Sequence, residues 1–320
     1  MKPKVLVTQV LPQKVEDYLR EHTEIIKVQL LSETNLVEAL NEVEGILTSG
    51  LTIDNDLLDK APNLKVVSNQ SVGYNNFDLD AMNKRNIVGT HTPNVLDDTV
   101  ADLVLSLMLA SARRIPEMDR LVKEGNWLKN IGEELFGVDV HHATIGIIGM
   151  GRIGEAIAKR AIYGFDMKAL YYNRTRKTEA ENRLGVVYAE MDQLLQQSDF
   201  VVLMTPLTKG TEKFFGEKQF TLMKQSAIFI NASRGATVDE EALIQALQTG
   251  GISGAGLDVF TIEPIDLNNP LLKMEQVVTL PHIGSATLKT RHDMAELAAK
   301  NLVIALSGEH CPCVVKELAK

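Results

Sequence analysis

Cysteine is nearly absent from this 320-residue chain: two occur, Cys311 and Cys313, in a single C-x-C near the end. A bridge within C-x-C would be strained, and no zinc-ligand spacing accompanies the pair. Free thiols in a reducing, cytoplasmic setting are the expectation, and no metal site. A basic excess is also absent. The formal net charge of −9 excludes a general binder of nucleic-acid phosphates. It leaves small anions open, because a local Arg can outvote a distant surface field. Long hydrophobic runs are missing too. The longest, Leu103 to Ala112, is flanked by Asp102 and Arg113 and falls short of the ~20 apolar residues of a membrane span. No extended apolar stretch follows Met1-Lys2-Pro3-Lys4, so no signal peptide is expected. Low-complexity linkers and short repeats are likewise lacking, so crossings between domains should be tight.

What remains is an ordinary globular composition, 45% hydrophobic and 23% charged. The length predicts about two domains, since single cores rarely grow past ~250–300 residues. Short apolar runs alternate with helical stretches: strand at 4–10, helix at 13–22, strand at 25–30, helix at 35–42, then strand-like segments at 45–49 and 64–68. This alternation predicts a parallel sheet with helices on both faces. A strongly apolar helix is expected over Thr99–Arg114, behind the acidic and capping residues Asp97-Asp98-Thr99. The βα alternation restarts at Thr144, with further strands at 168–172, 200–204, 227–231, 253–258 and 276–280. A last helix, Lys289–Leu306, is expected to return to the first domain. The fold class is therefore α/β, with two doubly wound parallel-sheet domains. Residues 1–98 and 290–320 would form the discontinuous first domain, and residues 99–289 a continuous Rossmann domain.

Gly149-Met150-Gly151-Arg152-Ile153-Gly154 follows the apolar run Ile145-Gly146-Ile147-Ile148 and opens a helix. This context makes G-x-G-x-x-G informative. The first glycine allows the tight turn, the second lets a pyrophosphate approach, and the third permits close helix–strand packing. The helix N-terminus then presents free N–H groups to the anion. About 20 residues on, an NAD site wants an Asp or Glu for the ribose hydroxyls. Here that place holds Asn173, followed by Arg174-Thr175-Arg176-Lys177. Arg174 can pair with a 2′-phosphate and Thr175 can donate a hydroxyl. NADPH is expected as cofactor, with NADH weaker.

Three later segments carry an Arg, a Glu and a His in separate strand-end contexts: Asn231-Ala232-Ser233-Arg234-Gly235, Leu257-Asp258-Val259-Phe260-Thr261-Ile262-Glu263-Pro264, and Leu280-Pro281-His282-Ile283-Gly284-Ser285. They offer a cation for a carboxylate and a His beside an acid, the parts needed to move a hydride and a proton onto a 2-keto acid. His91 and His292 stand in no motif, and the adjacent His141 and His142 have no acidic or Cys cluster nearby.

With Val72-Gly73-Tyr74-Asn75-Asn76-Phe77-Asp78, Thr99-Val100-Ala101-Asp102 and Pro206-Leu207-Thr208, these motifs follow the order found in the D-isomer-specific 2-hydroxyacid dehydrogenases. The chain resembles that family over nearly its whole length. Phe136-Gly137-Val138-Asp139-Val140-His141-His142 and the basic loop after Asn173 point to its glyoxylate/hydroxypyruvate and 2-ketogluconate reductase branch. The resemblance implies a flavodoxin-like substrate domain beside the cofactor domain. It implies that Arg234 binds the substrate carboxylate and polarises the keto oxygen, and that His282 is the general acid in reduction. Glu263 would hold the imidazole and favour its charged form. The amides of Val72 and Gly73 would complete the carboxylate site. Thr99, Thr205, Pro206, Ala232, Asp258, Gly284 and Ser285 would line the cofactor with the fingerprint residues, Asp258 near the nicotinamide amide. A small 2-keto acid would be the substrate, with neither nucleic acid nor membrane as partner. A homodimer would form around the apolar helix, using Val104, Leu105, Met108 and Leu109. Two alternatives stay open: an NAD-dependent phosphoglycerate or D-lactate dehydrogenase, and a dinucleotide-sensing binding protein of the corepressor type.

Overall fold

The computed structural model describes residues 1–28 and 33–319. The chain divides into two compact units, Met1–Leu96 with Ala286–Lys320, and Asp97–Ser285.

The first unit is built on β1 (Lys4–Val7), β2 (Glu24–Lys27), β3 (Gly45–Thr48), β4 (Val66–Asn69) and β5 (Val88–Thr90), all parallel, in the order β2-β1-β3-β4-β5. This is the flavodoxin-like order. The second strand stops at Lys27; Gln29 and Leu30, which the sequence places in it, lie outside the described residues. Alternate strand residues feed two cores, as a sheet covered on both faces requires. Leu6, Ile46 and Val67 join Leu58, Met82 and Leu318 on one face. Val5, Val7, Leu47 and Val66 meet Ala295, Ala298, Ala299 and Leu302 on the other. Those last four come from the helix Leu288–Ser307, capped by Thr287, whose side chain accepts from the Thr290 amide. The small residues let this helix lie close to the sheet, and the Ser68 hydroxyl donates to the Ala298 carbonyl at 2.8 Å.

The second unit carries β6 (Thr144–Ile148), β7 (Lys168–Tyr172), β8 (Val187–Tyr188), β9 (Phe200–Leu203), β10 (Ile228–Asn231), β11 (Gly254–Leu257) and β12 (Val277–Thr279). They are parallel in the order β12-β11-β10-β9-β6-β7-β8, so the direction of winding reverses between β9 and β6. Numbered within the unit, this is the Rossmann order with one added strand. Register pairs Tyr172 with Ile148, Ile148 with Leu203, Leu203 with Asn231, Asn231 with Leu257 and Leu257 with Thr279. The strand ends therefore form one aligned carboxyl edge.

Two expectations need correction. The apolar helix runs Asp97–Ala112 rather than from Thr99, with Asp97 and Asp98 inside its first turn, where negative charge suits the dipole. The first unit accordingly ends at Leu96 and resumes at Ala286. Val104, Leu105 and Met108 are buried within the chain itself, while Leu109 is half-buried, in a helix that contacts β10, β11, β12 and the helix Arg152–Phe165. Burying such a side chain contributes roughly 1.5–3 kcal/mol to one folded chain, so Val104, Leu105 and Met108 are not surface held for a second copy. Exposed apolar side chains lie later, on the helix Ile115–Lys123 and the arm beyond it: Ile115, Val122, Trp127, Leu128 and Phe136.

Candidate active site

The expected site residues of the second unit follow successive strand ends along its carboxyl edge. Asn173 and Arg174 follow β7, the glycine fingerprint follows β6, and Thr205 and Pro206 follow β9. Arg234 follows β10, Asp258 follows β11 and His282 follows β12. This edge, outside the winding reversal, is where open α/β sheets take their ligands.

The fingerprint glycines meet three different demands. Gly149 has φ of 108°, and a Cβ there would lie 2.6 Å from the Met204 carbonyl oxygen. A Cβ on Gly154 would collide with the Gly149 carbonyl, whereas one on Gly151 would meet nothing within 4 Å. The first and third glycines serve the turn and the packing; the second faces open space, as the approach of a pyrophosphate requires. The Thr205 hydroxyl oxygen is buried with no hydrogen-bond partner among the described residues. A cradle with open space at Gly151 and a buried polar atom unserved at Thr205 fits a dinucleotide. Arg152 is tied to Asp97, its Nε donating at 3.1 Å. Thr99 lies in the first turn of the helix beginning at Asp97, and Ile153 in the first turn of the helix Arg152–Phe165.

After β7 the residues divide their tasks. Asn173 Oδ1 accepts from the Met150 amide at 2.8 Å, and its Nδ2 donates to the Met150 carbonyl at 3.3 Å. The carboxamide standing at the ribose-reader position therefore also clamps the fingerprint turn. Arg176 binds Glu181 through Nε and Nη2, at 2.7 and 2.8 Å, and lies over the Tyr188 ring. Arg174 and Thr175 are exposed.

At the other end of the edge the groups are bonded to one another. His282 Nδ1 lies 2.7 Å from Glu263 Oε2. An ionised carboxylate only accepts, so Nδ1 carries the proton and Nε2 is left to exchange one with a ligand. Glu263 Oε1 accepts from the Phe260 amide at 3.0 Å. Burial, the largest influence, pushes the Glu263 carboxyl upward. The bonds from His282 and Phe260 and the charges of His282 and Arg234 outweigh it, and the pKa settles below the ordinary carboxylate value. Burial lowers the pKa of the Arg234 guanidinium, opposed by the charge of Glu263; the group stays cationic at working pH. The Arg234 Nη1 donates to the Ser233 carbonyl at 2.7 Å. The following Gly235 is packed so closely on the Phe260–Thr261 backbone that a Cβ would overlap it. That contact draws the Arg234 segment onto the Glu263 turn.

Asp258 does work that sequence reasoning did not anticipate. It is buried, and its two oxygens accept from the Ile283 amide at 2.7 Å and the Gly284 amide at 2.8 Å. Burial raises its pKa, opposed by those two amides and by His282. The bonds hold the two residues that follow His282, whose φ of 53° is left-handed. A non-glycine residue held there costs roughly 1–3 kcal/mol, and the Asp258 clamp offsets that cost. The partners are 25 and 26 residues apart, so no local pattern announces them. Ala232 sits between β10 and Ser233, and Ser285 is the last residue of this unit.

Val72 and Gly73 belong to the first unit, in the loop after β4. The loop is held by its carbonyls: Ser71 accepts from the Thr92 amide at 2.9 Å, Val72 from His91 Nδ1 at 2.9 Å, and Gly73 from Asn69 Nδ2 at 2.9 Å. Among the described residues, no cluster of three or more His, Cys, Asp or Glu side chains is placed to hold a metal ion, and no helix is long and apolar enough to cross a membrane.

Comparison with known proteins shows the family. Residues 105–284 match the family model for the NAD binding domain of D-isomer specific 2-hydroxyacid dehydrogenases. The chain is 49% identical to glyoxylate/hydroxypyruvate reductase B of Escherichia fergusonii, with all of both chains covered. It is 50% identical to the same enzyme of Klebsiella pneumoniae over 96% of each. Among solved structures it resembles the NADPH-dependent glyoxylate/hydroxypyruvate reductase of Sinorhizobium meliloti in complex with NADP and malonate. The TM-score there is 0.88 and the identity 32%, over 99% of this chain and 98% of that one. A glyoxylate reductase from Paecilomyes thermophila gives a TM-score of 0.89 at 29% identity, over 99% of each. The chain belongs to the D-isomer specific 2-hydroxyacid dehydrogenase family.

Proposed function

We propose that this protein is an NADPH-preferring reductase of small 2-keto acids, glyoxylate and hydroxypyruvate foremost, and that it yields D-2-hydroxy acids. The observation that carries the reading is the His282–Glu263 pair at 2.7 Å, with Arg234 in electrostatic range of the same carboxylate. It is supported by the names of the curated relatives and by NADP in the Sinorhizobium structure.

The cofactor would be held by Gly149, Gly151, Arg152, Ile153 and Gly154 at the pyrophosphate. Asn173, Arg174 and Thr175 would serve the adenosine ribose. Thr99, Thr205, Pro206, Ala232, Asp258, Gly284 and Ser285 would line the rest. When bound, a reduced nicotinamide supplies hydride to the keto carbon. Arg234 pairs with the substrate carboxylate and draws electron density from the keto oxygen, which is the positioning part of the rate. His282 Nε2 gives its proton to that oxygen, while Glu263 keeps Nδ1 protonated and the ring in place. NADPH is favoured because the ribose position holds a neutral Asn173 occupied with Met150, with the exposed Arg174 following it. The test is steady-state kinetics with glyoxylate, hydroxypyruvate, pyruvate and 2-ketogluconate, each with both cofactors. Highest kcat/KM for the first two with NADPH is expected; a preference for NADH, or no turnover of either acid, sinks the reading.

We also read the protein as a homodimer that covers the exposed apolar side chains of Ile115, Val122, Trp127 and Leu128. Sedimentation that finds only a 35.3 kDa species at micromolar concentration would rule this out.

A further inference from the structure

Glu263 reaches His282 from an exposed loop, residues 258–269, which joins β11 to the short 3₁₀ turn Pro270–Lys273. Residues 261–264 and 266–268 are all exposed, Ile262 and Leu267 among them, so the loop has little apolar packing of its own. Segments of this kind sit at the low end of local stability. A carboxylate that must meet one imidazole nitrogen in one orientation therefore needs its loop held from outside.

Two of the bonds that hold the loop end on one side chain. Glu240 Oε2 accepts from the Thr261 amide at 3.3 Å, and Glu240 Oε1 accepts from Asn269 Nδ2 at 2.8 Å. One tether lies two residues ahead of Glu263 and the other at the far end of the loop. The first acts on the peptide group that joins Phe260 to Thr261. That group is planar, so holding its N–H fixes the plane from which the chain runs on to Glu263. The Phe260 amide just before it is the donor to Glu263 Oε1. The second tether is locked from behind: Asn269 Oδ1 accepts from the amide of the buried Leu271 at 3.0 Å. Glu240 itself stands on rigid ground. It opens the helix Glu240–Gln248, where its charge suits the dipole, and that helix buries Leu243 and Leu247. The preceding Asp239 amide donates to the Phe215 carbonyl at 3.0 Å. Both partners of Glu240 are N–H donors, so the position calls for two acceptor oxygens. A glutamine would turn an NH2 group toward one of the donors, and Asn269 cannot turn to meet it without giving up Leu271.

We propose that Glu240 is a positioning residue for the proton transfer: by holding the Thr261 amide and Asn269, it sets the loop so that Glu263 meets the His282 ring. This rests on the reading of His282 as the proton donor and Glu263 as its holder. The test is a double-mutant cycle on the full chain, read as kcat with saturating glyoxylate and NADPH. Glu240→Ala should lower kcat about two- to tenfold, the net worth of one hydrogen bond, and leave the KM for NADPH in place. In the Glu263→Gln chain the same replacement should cost a smaller factor, because the bond it positions is already weakened and residues that act through one another are not additive. A merely structural role predicts an equal or larger factor there, or a KM for NADPH that rises as kcat falls, and either result overturns the proposal. If Glu240→Ala does not fold, Glu240→Gln, which keeps the side-chain length and loses one acceptor, takes its place in the cycle under the same criteria. If Glu263→Gln alone leaves kcat unchanged, the reading of the His282–Glu263 pair fails and the role of Glu240 with it. If Glu263→Gln lowers kcat and the Glu240 replacement does not, the pair stands and only the role of Glu240 is refuted.

Discussion

The two ends of the carboxyl edge of the seven-stranded sheet are built to different tolerances. After β10, β11 and β12 the functional groups are bonded to one another or to fixed amides: Glu263 to His282 and Phe260, and Asp258 to Ile283 and Gly284. After β7 the loop itself is clamped, by Asn173 on Met150 and Arg176 on Glu181, but the Arg174 and Thr175 side chains extend into solvent. A proton transfer needs its donor at hydrogen-bond distance from one atom in one orientation. A phosphate group accepts charge from many directions, so a long, mobile cation can find it after binding. Rigidity is concentrated where geometry limits the chemistry, and the left-handed backbone of His282 is the strain accepted to obtain it.

The largest effect should come from the rigid end. His282→Ala removes the only proton donor assigned to the keto oxygen, and kcat should fall about 10²- to 10⁴-fold. Cofactor binding, followed by quenching of protein fluorescence, should stay near the parent value. A comparable loss of cofactor affinity would show that the two ends are not separable. At the loose end, Arg174→Ala should raise the KM for NADPH about ten- to a hundredfold, the worth of a charge-assisted bond of roughly 1.5–3 kcal/mol. The KM for NADH should scarcely change; equal changes for both cofactors would remove Arg174 from the phosphate site.

A smaller effect should sharpen the contrast at Glu263. Glu263→Gln keeps an acceptor for the Phe260 amide but removes the negative charge beside the ring. The charge-assisted bond that holds the ring is weakened, so kcat should fall about tenfold, the worth of a bond of roughly 1.5 kcal/mol, with the KM for NADPH unchanged. An unchanged kcat would mean that the carboxylate does not hold the ring in place.

The smallest effect concerns stability at the loose end. Arg176, and after it Tyr171, draw the Glu181 carboxyl from 4.5 down to about 2. A carboxyl that binds its proton less readily in the folded state contributes stability above its unfolded pKa. That contribution is lost as pH falls through the folded value. Between pH 4.5 and about 2, the urea midpoint of Glu181→Gln should therefore decline less steeply than that of the parent. Parallel curves would show that the Arg176–Glu181 pair adds nothing measurable, as is common for exposed pairs.

Much of this was legible locally. A run such as Ile145–Ile148 before three spaced glycines carries its strand, turn and helix within a dozen residues, and so does the Leu280–Ser285 segment. The alternation of runs announced two parallel sheets because strand and helix periods are short-range properties. The sequence read the wrong face for the helix Asp97–Ala112. An apolar surplus looks the same whether it faces a neighbouring strand or a second copy, and only the packing places Val104 and Met108 inside the chain. Composition and motif order alone determined the α/β class, the family, the glycine cradle and the Arg, Glu and His trio. The tertiary structure alone decided that Asp258 holds the His282 turn, that Asn173 clamps Met150, that Gly235 presses Arg234 toward Glu263, and that His91 reaches Val72. Each of these joins residues roughly 20 or more apart in the chain, or a side chain to a backbone whose course only the sheet fixes. Such contacts leave no periodicity or spacing, because the chain between the partners can take any course that returns to the same edge.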